Sequence, residues 1–219
     1  MDKSNELVDQ IRSDKLTYLS ANGLNNLKNN LNRTKDVEGI IIETGCALGG
    51  SAILISKCKN KGKKFYIYDV FGVIPPPSEK DGVDVHQRYK QIIEHKSKGI
   101  GNQKYYGYEE NLLNKVKLNF KKYGIDTNGD EISFIKGLYQ DTLKDLNETV
   151  SFAHIDCDWY ESVLCCLKYI EPKLSIGGIL TIDDYNAWSG CKRAVDEYFK
   201  DKKNYKFEKF EKLNIIKLS

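Results

Sequence analysis

The chain of 219 residues lacks several features that would assign it to a class at once. No apolar run approaches the roughly 20 residues that a membrane-spanning helix needs, so no membrane association is expected. Charge of one sign is not in surplus either: 34 basic and 31 acidic residues leave a formal charge of +3. That balance is too even for a surface built around nucleic acid or an anionic bilayer. The cysteines at 46, 58, 157, 165, 166 and 191 form no CxxC pair, and the stretch Met1–Leu16 has no apolar signal-peptide core. Both absences predict a cytoplasmic, reducing setting in which the thiols act as small buried hydrophobes. A complete GxGxxG is missing, as is a Tyr-x-x-x-Lys pair in a catalytic position, which disfavours an NAD-dependent sugar enzyme.

What is present reads as an α/β fold on one core, since the length and a hydrophobic fraction of 40% suit a single domain, residues 1–219. Leu7, Ile11, Leu16, Leu19, Leu24, Leu27 and Leu31 recur at helical spacing, interrupted at Asn22-Gly23, and predict one or two amphipathic helices within an N-terminal cover, 1–38. Five short apolar runs then end in or near an acid or glycine: 39–43, 64–69, 132–137, 152–156 and 178–184. Helical segments between them indicate a mainly parallel sheet, whose ligands bind beyond the carboxyl ends of the strands. Glu43, Asp69, Asp156, Asp183 and Asp184 are therefore expected along one edge, at the mouth of a site. The alternating runs 205–210 and 213–218 predict a closing antiparallel hairpin. Residues 72–119, poor in strand signal and carrying Pro75-Pro76-Pro77, read as an inserted lid.

Two groups of residues carry chemistry. The turn Thr44-Gly45-Cys46-Ala47-Leu48-Gly49-Gly50-Ser51 follows a strand ending in Glu43, and the next strand ends in Asp69. That layout suits S-adenosylmethionine: Gly45 admits the ligand close to the backbone and Asp69 accepts hydrogen bonds from ribose hydroxyls. Asp156 and the pair Asp183-Asp184 follow strands expected to be neighbours. Carboxylates so close raise one another's pKa unless a cation neutralises them, and oxygen ligands suit Mg2+, Mn2+ or Ca2+. Asp158 lies one step further, aimed at a substrate. His154 reads as a structural histidine and His86 and His95 take no role. Thiol catalysis is disfavoured because Cys157 sits between acids that raise its pKa. Tyr105, Tyr106 and Tyr108 could stack on a sugar or ring, or simply pack.

Taken together, Glu43–Ser51, Tyr68–Gly72 with the three prolines, Gly137-Leu138-Tyr139-Gln140-Asp141, Ile155–Ser162 and Ile182–Tyr185 resemble the macrocin O-methyltransferase family, in the family's order from about residue 40 to 200. The resemblance implies a Rossmann-like class I methyltransferase fold: a seven-stranded, mainly parallel sheet with an antiparallel final hairpin and helices on both faces. It implies S-adenosylmethionine as donor, a magnesium-type ion, a sugar hydroxyl on a natural product or glycan precursor as small-molecule acceptor, and a homodimer. By position it makes Asp156, Asp183 and Asp184 the metal ligands and Asp158 the general base. Glu43, Gly45, Ser51, Asp69 and Asp156 would line the donor pocket, with Gly137, Leu138 and Tyr139 near the adenine. The N-terminal region is shorter than the family's and the lid sequence is its own. The residues leave open a catechol or phenolic O-methyltransferase and a non-catalytic donor-binding scaffold.

Overall fold

The computed structural model describes residues 3–127, 129 and 131–219; Met1 and Asp2 of the expected N-terminal cover lie outside the described residues. Five strands run parallel, β1 (Ile40–Thr44), β2 (Phe65–Asp69), β3 (Ile132–Lys136), β4 (Val150–Ile155) and β5 (Leu174–Ile182). The hairpin β6 (Tyr205–Lys209) and β7 (Leu213–Lys217) adds β7 antiparallel to β5, giving the order β3-β2-β1-β4-β5-β7-β6. Chain reversal between β1 and β4 opens a crevice at the carboxyl ends, the usual ligand position in such sheets.

Helices α1 (Lys3–Ser13), α2 (Ala21–Arg33), α3 (Gly50–Cys58) and α5 (Leu112–Lys122) cover one face, and α6 (Tyr139–Thr142), α7 (Tyr160–Ile170) and α8 (Ser189–Phe199) the other. α4 (Val83–Ile93) lies in the connection between β2 and β3. Strand alternation separates the two cores: Ile41 joins Phe65, Phe152 and Ile179 on the first face, while Ile40 and Ile42 join Ala153, Leu180 and Ile215 on the second. A sheet buried on both faces explains why its strands read as continuous apolar runs rather than alternating ones. Among the described residues no helix is long and apolar enough to cross a membrane.

Two sequence expectations shift. The break between the first helices falls at Asp14–Ser20 rather than at Asn22-Gly23, because Ser20 caps α2 by accepting from the Gly23 amide (3.0 Å) and so draws Asn22 and Gly23 into its first turn. The segment expected as an insertion, 72–119, gives its end to the core: Leu112, Val116 and Phe120 of α5 are fully buried, so α5 is the crossover helix between β2 and β3. What remains outside the layers is 70–111. It is fastened at two helix starts, where Asp81 accepts from the first amide of α7 at Tyr160 (2.8 Å) and Asp84 from the first amide of α8 at Ser189 (2.9 Å). Gly190 permits the first contact, since a Cβ there would stand 1.8 Å from Asp81 Oδ1.

At the far end of the sheet Glu171, 5% exposed, accepts from Tyr198 (2.8 Å), Lys202 (2.8 Å) and Tyr205, tying the end of α7 to α8 and β6. Burial alone would push its carboxyl up, but these hydrogen bonds outweigh it and hold it below the usual glutamate range. A carboxylate depressed in the folded state stabilises above its unfolded pKa and loses that contribution as pH falls through the folded value. Glu171→Gln is expected to cost about 2 kcal/mol at neutral pH. Denaturant titrations should show the deficit shrinking below the ordinary glutamate range, whereas a constant deficit from neutral to acid pH would contradict the ionic account.

Candidate active site

Strand register lays a buried polar row across the sheet on the first face. Glu43 is the neighbour of His154, His154 of Thr181 and Thr181 of Asn214, and Asn30 of α2 completes the row by donating to Thr181 Oγ1 (3.0 Å) and Asn214 Oδ1 (2.7 Å). Each of these side chains is at most 1% exposed. Bonds among its members offset most of the desolvation cost, although Glu43 Oε2 and Asn214 Nδ2 find no partner among the described residues.

Its centre is ionic. His154 Nδ1 lies 2.9 Å from Glu43 Oε1 and Nε2 lies 3.3 Å from Asp183 Oδ1. A carboxylate only accepts, so both nitrogens carry protons and the ring is an imidazolium. Burial would lower its pKa, yet the two carboxylates dominate and push it up to about 10. Asp183 is in turn held below the usual carboxylate range: burial opposes this, and the bonds and charges of His154 and Lys212 overcome it. The expectation that Glu43 lies at the site's mouth is therefore corrected. It is fully buried under the pocket floor, drawn down by His154.

Above the row opens a cavity of about 350 Å3, in which Gly45, Ser51, Asp69, Tyr139, Asp156, Asp158, Asp183 and Asp184 all take part. Gly137 and Leu138, expected beside them, are not among its lining residues; Gly137 instead bonds its amide to the Asp69 carbonyl (3.0 Å), and Leu138 is 38% exposed. At the β1 end the backbone passes very close to β4. Gly45 has φ +91°, and a Cβ on it would lie 1.6 Å from the Asp156 carbonyl oxygen. The Asp69 carboxylate is fixed by amides, accepting from Cys46 (2.6 Å) and Phe71 (2.6 Å), so its remaining lone pairs face the cavity in one orientation. Burial raises its pKa and those amides partly offset the rise.

The second group of acids stands opposite. Asp156 and Asp184 are pushed well above the carboxylate range, by burial first and by neighbouring carboxylates second. Asp184 is within hydrogen-bond reach of Asp156 and Asp158, which in the absence of a cation requires a shared proton. Its other oxygen, Oδ2, is buried with no partner among the described residues. An orphaned, desolvated carboxylate oxygen beside further carboxylates is what a hard divalent cation would satisfy. Potential ligand atoms of His154, Asp156 and Asp183 also lie within 4.8 Å of one another, but His154 has both nitrogens committed to carboxylates. The oxygen set of Asp156, Asp183 and Asp184 thus fits a metal better than any set using the ring.

Asp158 occupies a distinct backbone state, φ +60°, closed by a 2.7 Å bond from the Trp159 amide to the Cys157 carbonyl. A non-glycine residue in the left-handed region stores strain that the surroundings must hold. Trp159 supplies the hold, donating its indole N–H to the Pro75 carbonyl (2.9 Å). Burial raises the Asp158 carboxyl to about 6, against hydrogen bonding from Trp188. Cys157 next to it is buried with its thiol pushed far up by burial and by Cys166, so it is no nucleophile.

Several lining residues carried no sequence signal. Lys212 looks like any hairpin lysine, Arg88 like any charge on an amphipathic helix, and Trp188 like a loop aromatic, yet all three line the cavity. Trp159 and Trp188 meet edge to face at 5.7 Å, and Tyr105 and Tyr106 flank the other side with rings 4.4 Å apart. Tyr108 is not part of this wall; it bonds the Ile92 carbonyl (2.7 Å) and packs on His95.

The strand order with its antiparallel β7 and the crevice between β1 and β4 define a class I methyltransferase fold. Within that class the chain belongs to the Macrocin-O-methyltransferase (TylF) family, whose profile matches residues 10–210. It is 29% identical over 167 residues to the 8-demethyl-8-(2,3-dimethoxy-alpha-L-rhamnosyl)-tetracenomycin-C 4'-O-methyltransferase of Streptomyces olivaceus, an alignment covering 74% of this chain and 58% of that protein. To the demethyldecarbamoylnovobiocin O-methyltransferase of Streptomyces niveus it is 29% identical over 168 residues, covering 74% and 59%. The chain therefore spans less than two thirds of the length of these curated relatives. Among solved structures it is similar to the O-methyltransferase NovP, with a TM-score of 0.77 and 25% identity over 93% of this chain and 83% of that one.

Because Gly45 lies where a methyl group would meet backbone, Gly45→Ala is expected to push β1 away from β4 and cost about 3 kcal/mol. Thermal unfolding and nucleoside titration should both register the change. An alanine variant of unchanged stability and affinity would refute the close approach.

Proposed function

We propose that this chain is an S-adenosylmethionine- and divalent-metal-dependent O-methyltransferase acting on a sugar hydroxyl. One observation carries the reading: a single cavity holds both the Gly45–Asp69 cradle and the acids Asp156, Asp158 and Asp184, so a donor and an activated oxygen would meet in one space. The names of two relatives, one specifying a 4' position on a rhamnosyl compound, support oxygen as the methylated atom and sugar as the acceptor. Aromatic walls support it too, since the apolar faces of a pyranose fit against Trp159, Trp188, Tyr105 and Tyr106.

In this reading Asp69 accepts hydrogen bonds from the ribose hydroxyls, and Gly45 and Ser51 give the donor room against β1 and α3. Tyr139 borders the adenine, while Gly137 and Leu138 set the turn that carries it. Asp156, Asp183 and Asp184 hold the divalent ion, Asp156 also bordering the donor. When bound, the donor supplies an electrophilic sulfonium methyl and the ion lowers the pKa of a coordinated hydroxyl. Asp158 would take the proton of the acceptor hydroxyl as the acceptor oxygen bonds to the donor's methyl carbon, with the C–S electron pair left on sulfur. A carboxyl raised towards neutrality by burial is better matched to this task than an ordinary aspartate. Alignment of the two reactants supplies much of the rate. The segment 70–111, with Arg88 and the tyrosines facing inward, acts as a lid that excludes water.

Titration of S-adenosylmethionine and then of MgCl2 tests the reading. Both should bind the wild type; Asp184→Ala should lose the magnesium heat and keep the donor, and Asp158→Asn should bind both while turnover, followed by mass spectrometry across glycosylated acceptors, falls about 10²- to 10⁴-fold. Absence of nucleoside binding, or full activity of Asp158→Asn, would sink it.

A further inference from the structure

The antiparallel hairpin brings a lysine into the acid cluster. Pairing of Ile182 with Leu213 makes Asp183 and Lys212 the next facing positions beyond the ladder. Lys212 Nζ lies 2.6 Å from Asp183 Oδ2 and 3.2 Å from the Asp183 carbonyl, so two of its three donors are spent on one residue. Its stem runs inward past Gly23 of α2, where a Cβ would stand 3.4 Å from Lys212 Cε, and the side chain is only 15% exposed. A lysine so withdrawn from solvent is not a solubilising surface charge. Asp183 Oδ1 is taken by His154 Nε2, so both oxygens of this expected metal ligand already face protein cations.

Counting charge gives the same picture. Glu43, Asp156, Asp183 and Asp184 stand against only His154 and Lys212, and Asp158 beside Asp184 adds a fifth acid, so the cluster has more acids than cations, as a site for a divalent ion would. Among the described residues Asp184 Oδ2 and, beneath the floor, Glu43 Oε2 are buried without a partner, whereas Asp183 has no oxygen to spare. An incoming ion therefore meets no cationic side chain hydrogen-bonded to Asp156 or Asp184, which bond each other, and must share Asp183 with Lys212.

We propose that Lys212 is a positioning residue that competes with the divalent ion for Asp183, weakening metal binding so that the ion exchanges readily and holding the cluster together when the ion is away. The proposal rests on the metal-dependent reading above. A merely structural lysine would leave metal affinity unchanged, or lower it when removed by letting Asp183 swing. Competition gives the opposite sign, because removing a positive charge a few ångströms from a dication strengthens its binding.

Manganese affinity, read by electron paramagnetic resonance of free Mn2+ with S-adenosylhomocysteine present and again without it, decides between them. Lys212→Met is expected to bind Mn2+ at least about tenfold more tightly than the wild type, and Lys212→Arg, which keeps the charge, to stay close to it. Lys212→Gln serves in place of the methionine variant should that one not fold. Equal or weaker binding by the neutral variants, or no Mn2+ binding by any form, overturns the proposal. Nucleoside binding separates the two readings: S-adenosylhomocysteine bound with no effect of Lys212 on Mn2+ removes only this inference. No nucleoside bound removes the methyltransferase reading, while the Mn2+ comparison still decides the role of Lys212.

Discussion

An imidazolium between two carboxylates fixes what the rest of this molecule can do. Glu43 and Asp183 come from strands on either side of β4, and a carboxyl group withdrawn from solvent needs a hydrogen-bonding partner. His154, on the strand between them, bonds both. With that bridge in place β1, β4 and β5 are registered at the level where the cavity begins. The strand ends beyond it can then carry Asp156, Asp183 and Asp184 without the cluster repelling itself apart. The neutral continuation through Thr181, Asn214 and Asn30 ties the same level to β7 and α2.

Much of this was legible in the residues because the physics was local. Strand runs ending in acids, a glycine turn after the first of them and an alternating tail pointed to a parallel sheet with a closing hairpin, and the strands formed within a few residues of the expected bounds. β5 begins earlier than expected, at Leu174, because Gly177 and Gly178 fall inside the strand rather than before it. Asp69, Asp156, Asp158, Asp183 and Asp184 converge on one cavity because each directly ends or follows a strand, a position that sequence fixes to within a residue or two.

The misreadings arose where a side chain's role depended on a distant neighbour. Glu43 has the same local setting as Asp69, an acid at a strand end, and nothing in its own surroundings announces that His154 will pull it beneath the floor. Both side chains point to the same face, but Glu43 lies level with Ile67, two residues before Asp69, and so sits one period of the pleat deeper. Lys212 gives no signal because its significance comes from pairing with a residue 29 positions away. The N-terminal boundary was missed for a milder reason: Asn-Gly is a strong turn signal in isolation, and a serine cap two residues earlier outweighed it.

The aspartates that fasten segment 70–111 have a bearing on how this architecture can be altered. Asp81 and Asp84 accept from the first amides of α7 and α8 respectively, the helices that follow the two acid-bearing strands, and Pro75 accepts from the indole beside Asp158. The covering segment is thus divided by function along its own length. Its first part, 70–84, lines the cavity at Val70, Gly72, Ile74 and Pro75 and also fastens the acid-bearing loops, while its second, 85–111, contributes wall alone through Arg88, Ile92, Tyr105 and Tyr106. A graft that exchanges the wall for that of another chain can keep the chemistry intact only if its seam lies after Asp84, for a cut any earlier takes the helix caps away with the wall.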